Sequence, residues 1–215
     1  MLLRIFTVNE LDVATDGFAA SRFIGSGGCG RVYRGVLASG ENVAVKRWSG
    51  GTSQSADSLT ELMNELHTLG QISHRNLLPV LGFVCQPPDL MLVTPHMARG
   101  SLHDTLHGAD GAAARFDAAC RVSFLLDMAH GVQSLHAANI VHRDVKSANV
   151  LIADDGQAVL ADAGVARRLR ADAEAAAAVT GTRVIGTDGY MDPEYEDTMQ
   201  LSYKSDVFSV GVVIL

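Results

Sequence analysis

A run of polar residues between two apolar flanks is the most informative stretch of the sequence. In "IVHRDVKSANVLI", residues 140–152, an otherwise apolar pattern is interrupted by Arg143, Asp144, Lys146 and Asn149. An aspartate can accept a proton from a substrate hydroxyl, a lysine can neutralise charge on a transferring phosphoryl group, and an asparagine can give an oxygen to a divalent metal. The run therefore predicts phosphoryl transfer, and a polar loop that only solvates a turn is the weaker interpretation.

A glycine-rich stretch precedes this run by more than a hundred residues. "GSGGCGRV" places Gly25, Gly27 and Gly30 in a GxGxxGxV pattern between two β-like runs. Because glycine has no Cβ, backbone N–H groups in such a loop can close over phosphate oxygens. Taken alone, the motif also fits a flexible hairpin tip. A dinucleotide site would need a helix directly after the glycines, and a strand follows instead.

A lysine ends the strand-like run "VAVK" shortly after the glycines. Alternation along a strand buries Val43 and Val45 on one side and directs Ala44 and Lys46 to the other. A strand lysine is by default a solvated edge charge. The following helix offers two carboxylates one turn apart, Glu61 and Glu65, as partners that would change this reading.

The secondary-structure elements that must position these residues change from mainly strands to mainly helices along the chain. "RVYRGVL" and "NVAVKRW" predict a hairpin across the turn "ASGE", and residues 57–70 predict an amphipathic helix with Asp57 as its N-cap and Gly70 after its last turn. "LLPVLGFVC" and "LMLVTPH" predict two further strands, whereas "SLHDTLHG" and "FDAACRVSFLLDMAHGVQSLHAA" have helical periodicity. A boundary near residues 98–100 therefore separates a β-rich lobe from a helical lobe, with a cleft expected between them.

Composition narrows the function classes. The 215 residues are 47% hydrophobic and 19% charged, which predicts a globular protein. The net charge of −7 disfavours nucleic-acid binding, and the three cysteines are too widely spaced for a disulfide framework or a metal clamp, so a reducing cytosolic setting is expected. No apolar run is long enough to span a bilayer.

The motifs occur in an order that resembles eukaryotic-type protein kinases, and most closely the plant receptor-like kinases and their interleukin-receptor-associated and Pelle relatives. The resemblance rests on "FIGSGGCGRVYRG", "VAVKRW", "MNELHTLGQISHRNLLPVLGF", "ARGSLHDTLHG", "IVHRDVKSANVLI", "GTDGYMDPEY" and "SYKSDVFSVGVVIL". It implies an α+β bilobal fold with a small β-rich N-lobe and an incomplete helical C-lobe. Residues 1–20 would precede the domain, residues 21–97 would form the N-lobe, and residues 98–215 would form part of the C-lobe.

The resemblance also assigns roles to single residues. Asp144 would orient the substrate hydroxyl with help from Lys146, and Glu65, which lies two turns ahead of "HRNLL" as in the family pattern, would hold Lys46 toward the phosphates of ATP. Asn149 and Asp162 would bind Mg²⁺. The residues assigned to ATP phosphates are Gly25, Ser26, Gly27, Gly28, Gly30 and Lys46. Val32, Ala44 and Leu151 would enclose the adenine ring, Thr94 would lie at the back of the adenine pocket, Pro95 and Met97 would lie in the hinge beside it, and Asp104 would contact the ribose.

The same resemblance predicts partners and regulation. Lys146 with Thr187 follows the serine/threonine pattern, so the expected substrate is a protein Ser or Thr, with a co-receptor or an upstream kinase as further partners and no nucleic acid. Thr180 and Thr182 are the expected phosphorylation sites, which Arg143 would bind. The expected location is the cytoplasm, as the intracellular part of a plasma-membrane receptor kinase.

Two departures from the family pattern support a rival interpretation. The metal triplet reads Asp162, Ala163, Gly164, where the family has an aromatic residue in the middle, so a hole beside His142 is expected unless neighbours repack. The sequence ends inside a helix predicted from near Asp206, which would leave a buried Glu194 without its arginine. A pseudokinase or truncated nucleotide-binding regulatory module is therefore the alternative.

Two further functions fit the sequence less well. "GTDGYMDPEY" resembles a peptide-docking segment and so disfavours a small-molecule kinase. His103 and His107 have the spacing of a zinc-protease motif, but the glutamate that must follow the first histidine is absent.

Overall fold

The computed structural model of the chain describes residues 3–27, 30–48, 55–108, 118–169 and 184–215. The chain divides into two compact units. The first contains Met1–Gln71 and Leu78–His96, and the second contains Ile72–Leu77 and Met97–Leu215. The first is rich in strands and the second in helices, which confirms the predicted α+β class.

A mixed six-stranded sheet forms the first unit. Its strands are β1 (Arg4–Ile5), β2 (Phe23–Gly27), β3 (Gly30–Val36), β4 (Asn42–Trp48), β5 (Gly82–Gln86) and β6 (Asp89–Pro95). They are ordered β1-β5-β6-β4-β3-β2, and every neighbouring pair is antiparallel except the parallel pair β1 and β5. The predicted hairpin of β3 and β4 is confirmed. The strand predicted to start at Leu77 begins only at Gly82, because Pro79 cannot donate to a ladder.

The two faces of this sheet carry different residues. Directly paired residues of antiparallel strands share a face, and the register pairs Val32 with Lys46 and Ala44 with Thr94. These four residues therefore lie on one face. The other face is the hydrophobic core of the unit, and its fully buried strand residues include Val43, Val45, Val84, Met91 and Val93.

The first twenty residues contribute to this core, although the sequence predicted no element there. Helix α1 (Val8–Ala14) begins with a capping box in which Thr7 and Glu10 bond each other's backbone N–H groups. Phe6 and Leu11 are 2% and 0% exposed and pack in the core of the sheet. Burial of their side chains provides the driving force that holds this segment on the sheet.

Helix α2 (Ser55–Thr68) crosses the first unit and begins earlier than predicted. Asp57 therefore lies in the first turn instead of at the N-cap, where its charge still favours the helix dipole. Only part of the predicted apolar face is buried, because Leu62 and Leu66 are covered whereas Leu59 and Met63 are exposed.

Within its described residues, the second unit contains four α-helices, a 3-10 helix at Ser147–Asn149 and two small sheets. The helices are α3 (Leu102–His107), α4 (Ala118–Ala137), α5 (Pro193–Thr198) and α6 (Tyr203–Ile214). The strands are β7 (Ile140–Val141), β8 (Val150–Ile152), β9 (Ala158–Leu160) and β10 (Arg167–Arg168). Antiparallel pairs form between β8 and β9 and between β7 and β10. Over the described parts of the chain, no helix combines the length and apolarity that a bilayer crossing requires.

Two expectations for the end of the sequence need correction. Helix α6 begins at Tyr203, because the Ser202 side chain accepts from the backbone N–H of Lys204 and caps it there, so Asp206 lies inside the helix. Glu194 was expected to be a buried carboxylate without a partner. It is exposed in the first turn of α5, so solvation by water removes the predicted burial cost.

Candidate active site

Lys46 and Glu65 form an ion pair inside the first unit. The Nζ atom of Lys46 lies 3.4 Å from each carboxylate oxygen of Glu65. The side chain of Lys46 is 17% exposed and that of Glu65 is 2% exposed. The alternation of β4 points Lys46 away from the core, and the structure brings it to the partner that the family pattern favours.

The competing carboxylate, Glu61, has a different contact. Its Oε2 atom accepts a hydrogen bond of 2.9 Å from Nε1 of Trp48. Trp48 is the last residue of β4, two positions after Lys46. The two carboxylates of α2 thus bind two different residues of the same strand.

The predicted phosphate loop connects β2 and β3. Gly25, Ser26 and Gly27 lie in β2 and Gly30 begins β3, while Gly28 lies outside the described residues. A Cβ on Gly30 would lie 2.5 Å from the carbonyl oxygen of Arg47, so sheet packing requires glycine there. A Cβ on Gly25 would meet no described atom within 4 Å. The fold alone therefore gives no reason for glycine at position 25.

The predicted adenine contacts are divided between the two units. In the first unit, Val32, Ala44 and the buried Thr94 share the sheet face of Lys46, and Pro95 ends β6 opposite Val43. In the second unit, Met97 precedes α3 in sequence and Leu151 lies at the centre of β8. All of these residues except Met97 thus lie on regular strands.

Asp104, the predicted ribose contact, has a structural role. Its Oδ2 atom accepts from the backbone N–H of Ser101 at 3.0 Å and from the Ser101 hydroxyl at 2.7 Å, while Ser101 caps the start of α3. These two hydrogen bonds lower the pKa of the Asp104 carboxyl, because they favour its charged form. One oxygen of the predicted ribose ligand is therefore already bound within a capping box.

The polar run after β7 gathers around one carboxylate in the second unit. Oδ2 of Asp144 accepts from Nζ of Lys146 at 2.8 Å and from Nδ2 of Asn149 at 3.0 Å. Oδ1 of Asp144 accepts from the hydroxyl of Thr187 at 2.5 Å, and Lys146 donates to the same hydroxyl at 2.7 Å. The structure thus brings together three residues of the run and a threonine from 43 positions downstream.

A buried aspartate of α6, which was not among the predicted site residues, holds the backbone of this loop. Asp206 is 1% exposed. Its carboxylate accepts from the backbone N–H groups of His142 and Arg143 at 2.8 and 2.9 Å, and it lies 2.7 Å from Nε2 of His136. A single acidic residue in the first turn of an apolar helix was the signal that could have found it.

Arg143 occupies a strained position beside Asp144. Its φ of 72° lies in the left-handed region, which costs energy for a residue with a side chain. Its bond to Asp206 fixes the backbone, and its guanidinium donates to the carbonyl of Val165 and to the hydroxyl of Tyr195. The predicted phosphorylation sites, Thr180 and Thr182, lie outside the described residues.

Two predicted metal ligands lie beside the β8 and β9 hairpin. The backbone N–H of Ala161 donates to the carbonyl of Asn149 at 2.8 Å, which places Asp162 next to the start of β8. Because Nδ2 of Asn149 donates to the backbone carbonyl of Asp144, its side-chain oxygen is the atom left for a cation. Asp162, with a φ of 62°, offers carboxylate oxygens. This all-oxygen set suits a hard divalent ion.

Other metal chemistry has less support. His103 and His107 stack with ring centroids 4.7 Å apart. In the portion of the chain that the structure covers, no three His, Cys, Asp or Glu side chains group as a metal site would require. A hard ion would therefore depend on phosphate oxygens as well as on protein ligands.

Ala163 does not line a hole. It is 0% exposed, whereas a water-sized void against it would give its atoms accessible surface. Within the described part of the second unit, its neighbours have therefore closed around the smaller side chain. The triplet keeps the carboxylate of Asp162, the predicted metal ligand, and is packed without an aromatic residue.

Comparisons with known proteins agree with this geometry. The family model described as the protein kinase domain matches residues 18–215. A calmodulin-binding receptor-like cytoplasmic kinase of Arabidopsis thaliana is 38% identical over 97% of this chain and 40% of its own length. A nodulation receptor kinase of Pisum sativum is 40% identical over 98% of this chain and 22% of its own length.

A third relative bears on the type of acceptor. A probable serine/threonine-protein kinase of Arabidopsis thaliana is 36% identical over 98% of this chain and 56% of its own length. The chain thus spans between about a fifth and just over half of these curated relatives.

Proposed function

Because the chain belongs to the protein kinase domain family, we propose that it transfers the γ-phosphate of ATP to serine or threonine hydroxyls of a protein substrate. The observation that carries this proposal is the arrangement around Asp144. Its carboxylate already accepts a hydrogen bond from an alcohol, that of Thr187, beside the ammonium of Lys146. A substrate hydroxyl bound to the same carboxylate would have a proton acceptor and a nearby positive charge.

The remaining predicted site residues bind ATP and the metal ion. Lys46, held by Glu65, binds phosphate oxygens of ATP, and the glycines of β2 and β3 contribute backbone N–H groups to them. Asn149 and Asp162 hold Mg²⁺, for which their oxygens are suitable ligands. When bound, the ion supplies charge neutralisation for the phosphates. In this proposal Asp104 both caps α3 and bonds the ribose through its other oxygen.

The preference for Ser and Thr is supported by two observations. The contact between Lys146 and Thr187 follows the serine/threonine pattern, and one relative carries the name of a serine/threonine-protein kinase. We also place the chain in the cytoplasm, where a co-receptor or an upstream kinase acts on it, since several relatives are named receptor-like cytoplasmic kinases. Phosphorylation of Thr180 and Thr182, read by Arg143, is the proposed means of control.

The test of the function is phosphate transfer from Mg-ATP to a generic protein substrate and to the chain itself. The parent chain is compared with Asp144→Asn, which keeps the shape of the side chain but removes its capacity to accept a proton. Transfer to Ser or Thr by the parent and at least a hundredfold less by the variant is the expected result. Equal transfer by both would contradict the role of Asp144.

A nucleotide-binding module without turnover is the second candidate, and the presence of Ala163 where the family has an aromatic residue favours it. The side chain of Ala163 is only a methyl group, so it cannot enforce the active arrangement as an aromatic residue would. Calorimetric binding of Mg-ADP by a parent chain that transfers no phosphate would establish this alternative.

A further inference from the structure

The only tryptophan of the chain lies directly beside the ion pair of the first unit. Trp48 ends β4 and is 2% exposed. Its ring centroid lies 4.9 Å from the Nζ atom of Lys46, within the range of a cation–π interaction. Its indole N–H donates to Oε2 of Glu61 at 2.9 Å. Trp48 therefore contacts both the ammonium that holds phosphate and the helix that carries its partner.

These contacts form a ladder with two rungs between β4 and α2. One rung is the ion pair of Lys46 with Glu65, and the other is the hydrogen bond of Trp48 with Glu61. Residues two apart on a strand share a face and are separated by about 6.6 Å. Residues four apart on a helix share a face and are separated by about 6 Å. The spacing of the strand pair thus matches that of the helix pair.

We propose that Trp48 is a positioning residue for phosphate transfer, which it serves by fixing Lys46 against Glu65; this inference rests on the proposed function. The ion pair defines one point of polar contact between α2 and β4. The second rung fixes the register of α2 on β4. Because Glu61 stands one turn from Glu65, its bond to the indole also directs it toward Trp48 and away from competition for Lys46.

The cation–π contact adds a restraint on the ammonium. Nζ of Lys46 is 3.4 Å from both oxygens of Glu65, longer than the 2.7–2.9 Å of a close charge-assisted bond. The indole face therefore supplies a further attraction that keeps the ammonium in place. A lysine whose position is fixed before the ligand arrives is pre-organised for an anionic ligand.

The kinetic test compares Glu61→Ala, Glu61→Gln, Trp48→Phe and the double variant Trp48→Phe/Glu61→Ala. We expect Glu61→Ala and Trp48→Phe each to lower kcat by about tenfold, with a smaller change in the KM for Mg-ATP, because misplacement of Lys46 weakens transition-state stabilisation. Glu61→Gln keeps an acceptor for the indole and should stay within about twofold of the parent. The double variant should be no slower than the slower single variant, since both remove one rung.

His67→Ala, an exposed substitution on the same helix, is the matched control and should keep the kcat of the parent. Unchanged kcat in Glu61→Ala, or losses that multiply in the double variant, would overturn the positioning role. Thermal unfolding of every variant separates this effect from instability. If loss of folded protein alone lowered kcat, the kcat of Glu61→Gln and that of Glu61→Ala would each fall in proportion to the stability that the variant has lost.

A spectroscopic test needs no enzyme activity. Because Trp48 is the only tryptophan, tryptophan emission reports on this ladder alone. Glu61→Ala and Lys46→Met should each shift the emission of the nucleotide-free chain, whereas His67→Ala should not. Absence of both shifts would overturn the ladder. An inactive parent that shows both shifts would instead overturn the proposed function, and with it the kinetic role, so the two failures are distinguishable.

Discussion

Thr187 donates its hydroxyl hydrogen to Oδ1 of Asp144 across 2.5 Å, and Lys146 donates to that same hydroxyl at 2.7 Å. The threonine comes from the segment before α5, and the aspartate comes from the loop after β7. The contact therefore joins two segments that are far apart in sequence at the atom that would accept the substrate proton.

Removal of this hydroxyl should slow the reaction more than it weakens nucleotide binding. Thr187→Val keeps the shape of the side chain but leaves Lys146 and Asp144 without their shared partner. We expect kcat to fall by about tenfold to a hundredfold with the KM for Mg-ATP nearly constant. Thr187→Ser, which keeps the hydroxyl, should retain most of the activity. Steady-state kinetics checks both variants, and a fully active Thr187→Val would contradict the role.

The carboxylate of Asp206 should be needed for both stability and activity. Asp206→Asn keeps the volume but presents an amide N–H₂ where the backbone N–H of His142 or Arg143 needs an acceptor. A buried donor left unsatisfied costs about 1–3 kcal/mol of unfolding free energy. Urea unfolding should show this loss, and phosphate transfer should decrease with it. Asp12→Asn, on the exposed side of α1, is the control, and equal stability of the two variants would argue against the role of Asp206.

Gly25 and Gly30 of the predicted phosphate loop should respond differently to a methyl group. Gly30→Ala would place a Cβ against the carbonyl of Arg47 and should lower the unfolding free energy by about 1–3 kcal/mol. Gly25→Ala meets no such contact among the described residues and should leave stability within about 0.5 kcal/mol of the parent.

Nucleotide binding should be affected directly by a methyl group at position 25, although stability is not. If phosphates approach the backbone at position 25, Gly25→Ala should raise the KM for Mg-ATP by threefold or more while the fold stays intact. Calorimetric titration with Mg-ADP gives an independent reading. A KM equal to that of the parent would mean that the phosphates do not approach this glycine.

The capping carboxylate of Asp104 gives a pH signature. The hydrogen bonds from Ser101 lower its folded pKa, so the ionised form favours the folded state. Its stabilising contribution is complete above the ordinary aspartate pKa of about 3.9 and is lost as the pH falls below this value through the folded pKa. The parent should thus be more stable than Asp104→Asn by a constant amount between pH 5 and 7.

Thermal unfolding from pH 3 to 7 tests this expectation. The difference between parent and variant should shrink only below about pH 4. A difference that changes between pH 5 and 7 would assign the effect to another group. Measured on the same variant, a raised KM for Mg-ATP would support the additional ribose contact.

Local patterns in the sequence predicted the parts of the fold that depend on local forces. Strict alternation from Val43 to Lys46 predicted the face that Lys46 occupies, and the long helical period predicted α4. The start of α2 was misplaced because Ser55, Asp57 and Ser58 are all favourable N-cap types, so composition does not select one. A two-residue strand such as β1 carries no period, and its pairing with β5 depends on burial of Phe6.

Prediction of the candidate site depended more on contacts between residues that are far apart in the sequence. The family pattern supplied the pairing of Lys46 with Glu65, since spacing alone left Glu61 equally possible. Asp206 lies 64 positions from His142, and no local period connects them. Trp48 had no predicted role, and only the three-dimensional structure shows its contacts with Lys46 and Glu61.

The bond between Asp206 and the loop after β7 has a consequence for biosynthesis. During synthesis from the N-terminus, the segment around Asp144 emerges some sixty residues before α6 does. Until α6 forms, the backbone N–H groups of His142 and Arg143 lack the acceptor that holds Arg143 in its left-handed conformation. A nascent chain can therefore complete the sheet with Lys46 and Glu65 well before the loop around Asp144 is set. Any phosphate-transfer capacity would then be acquired late in folding.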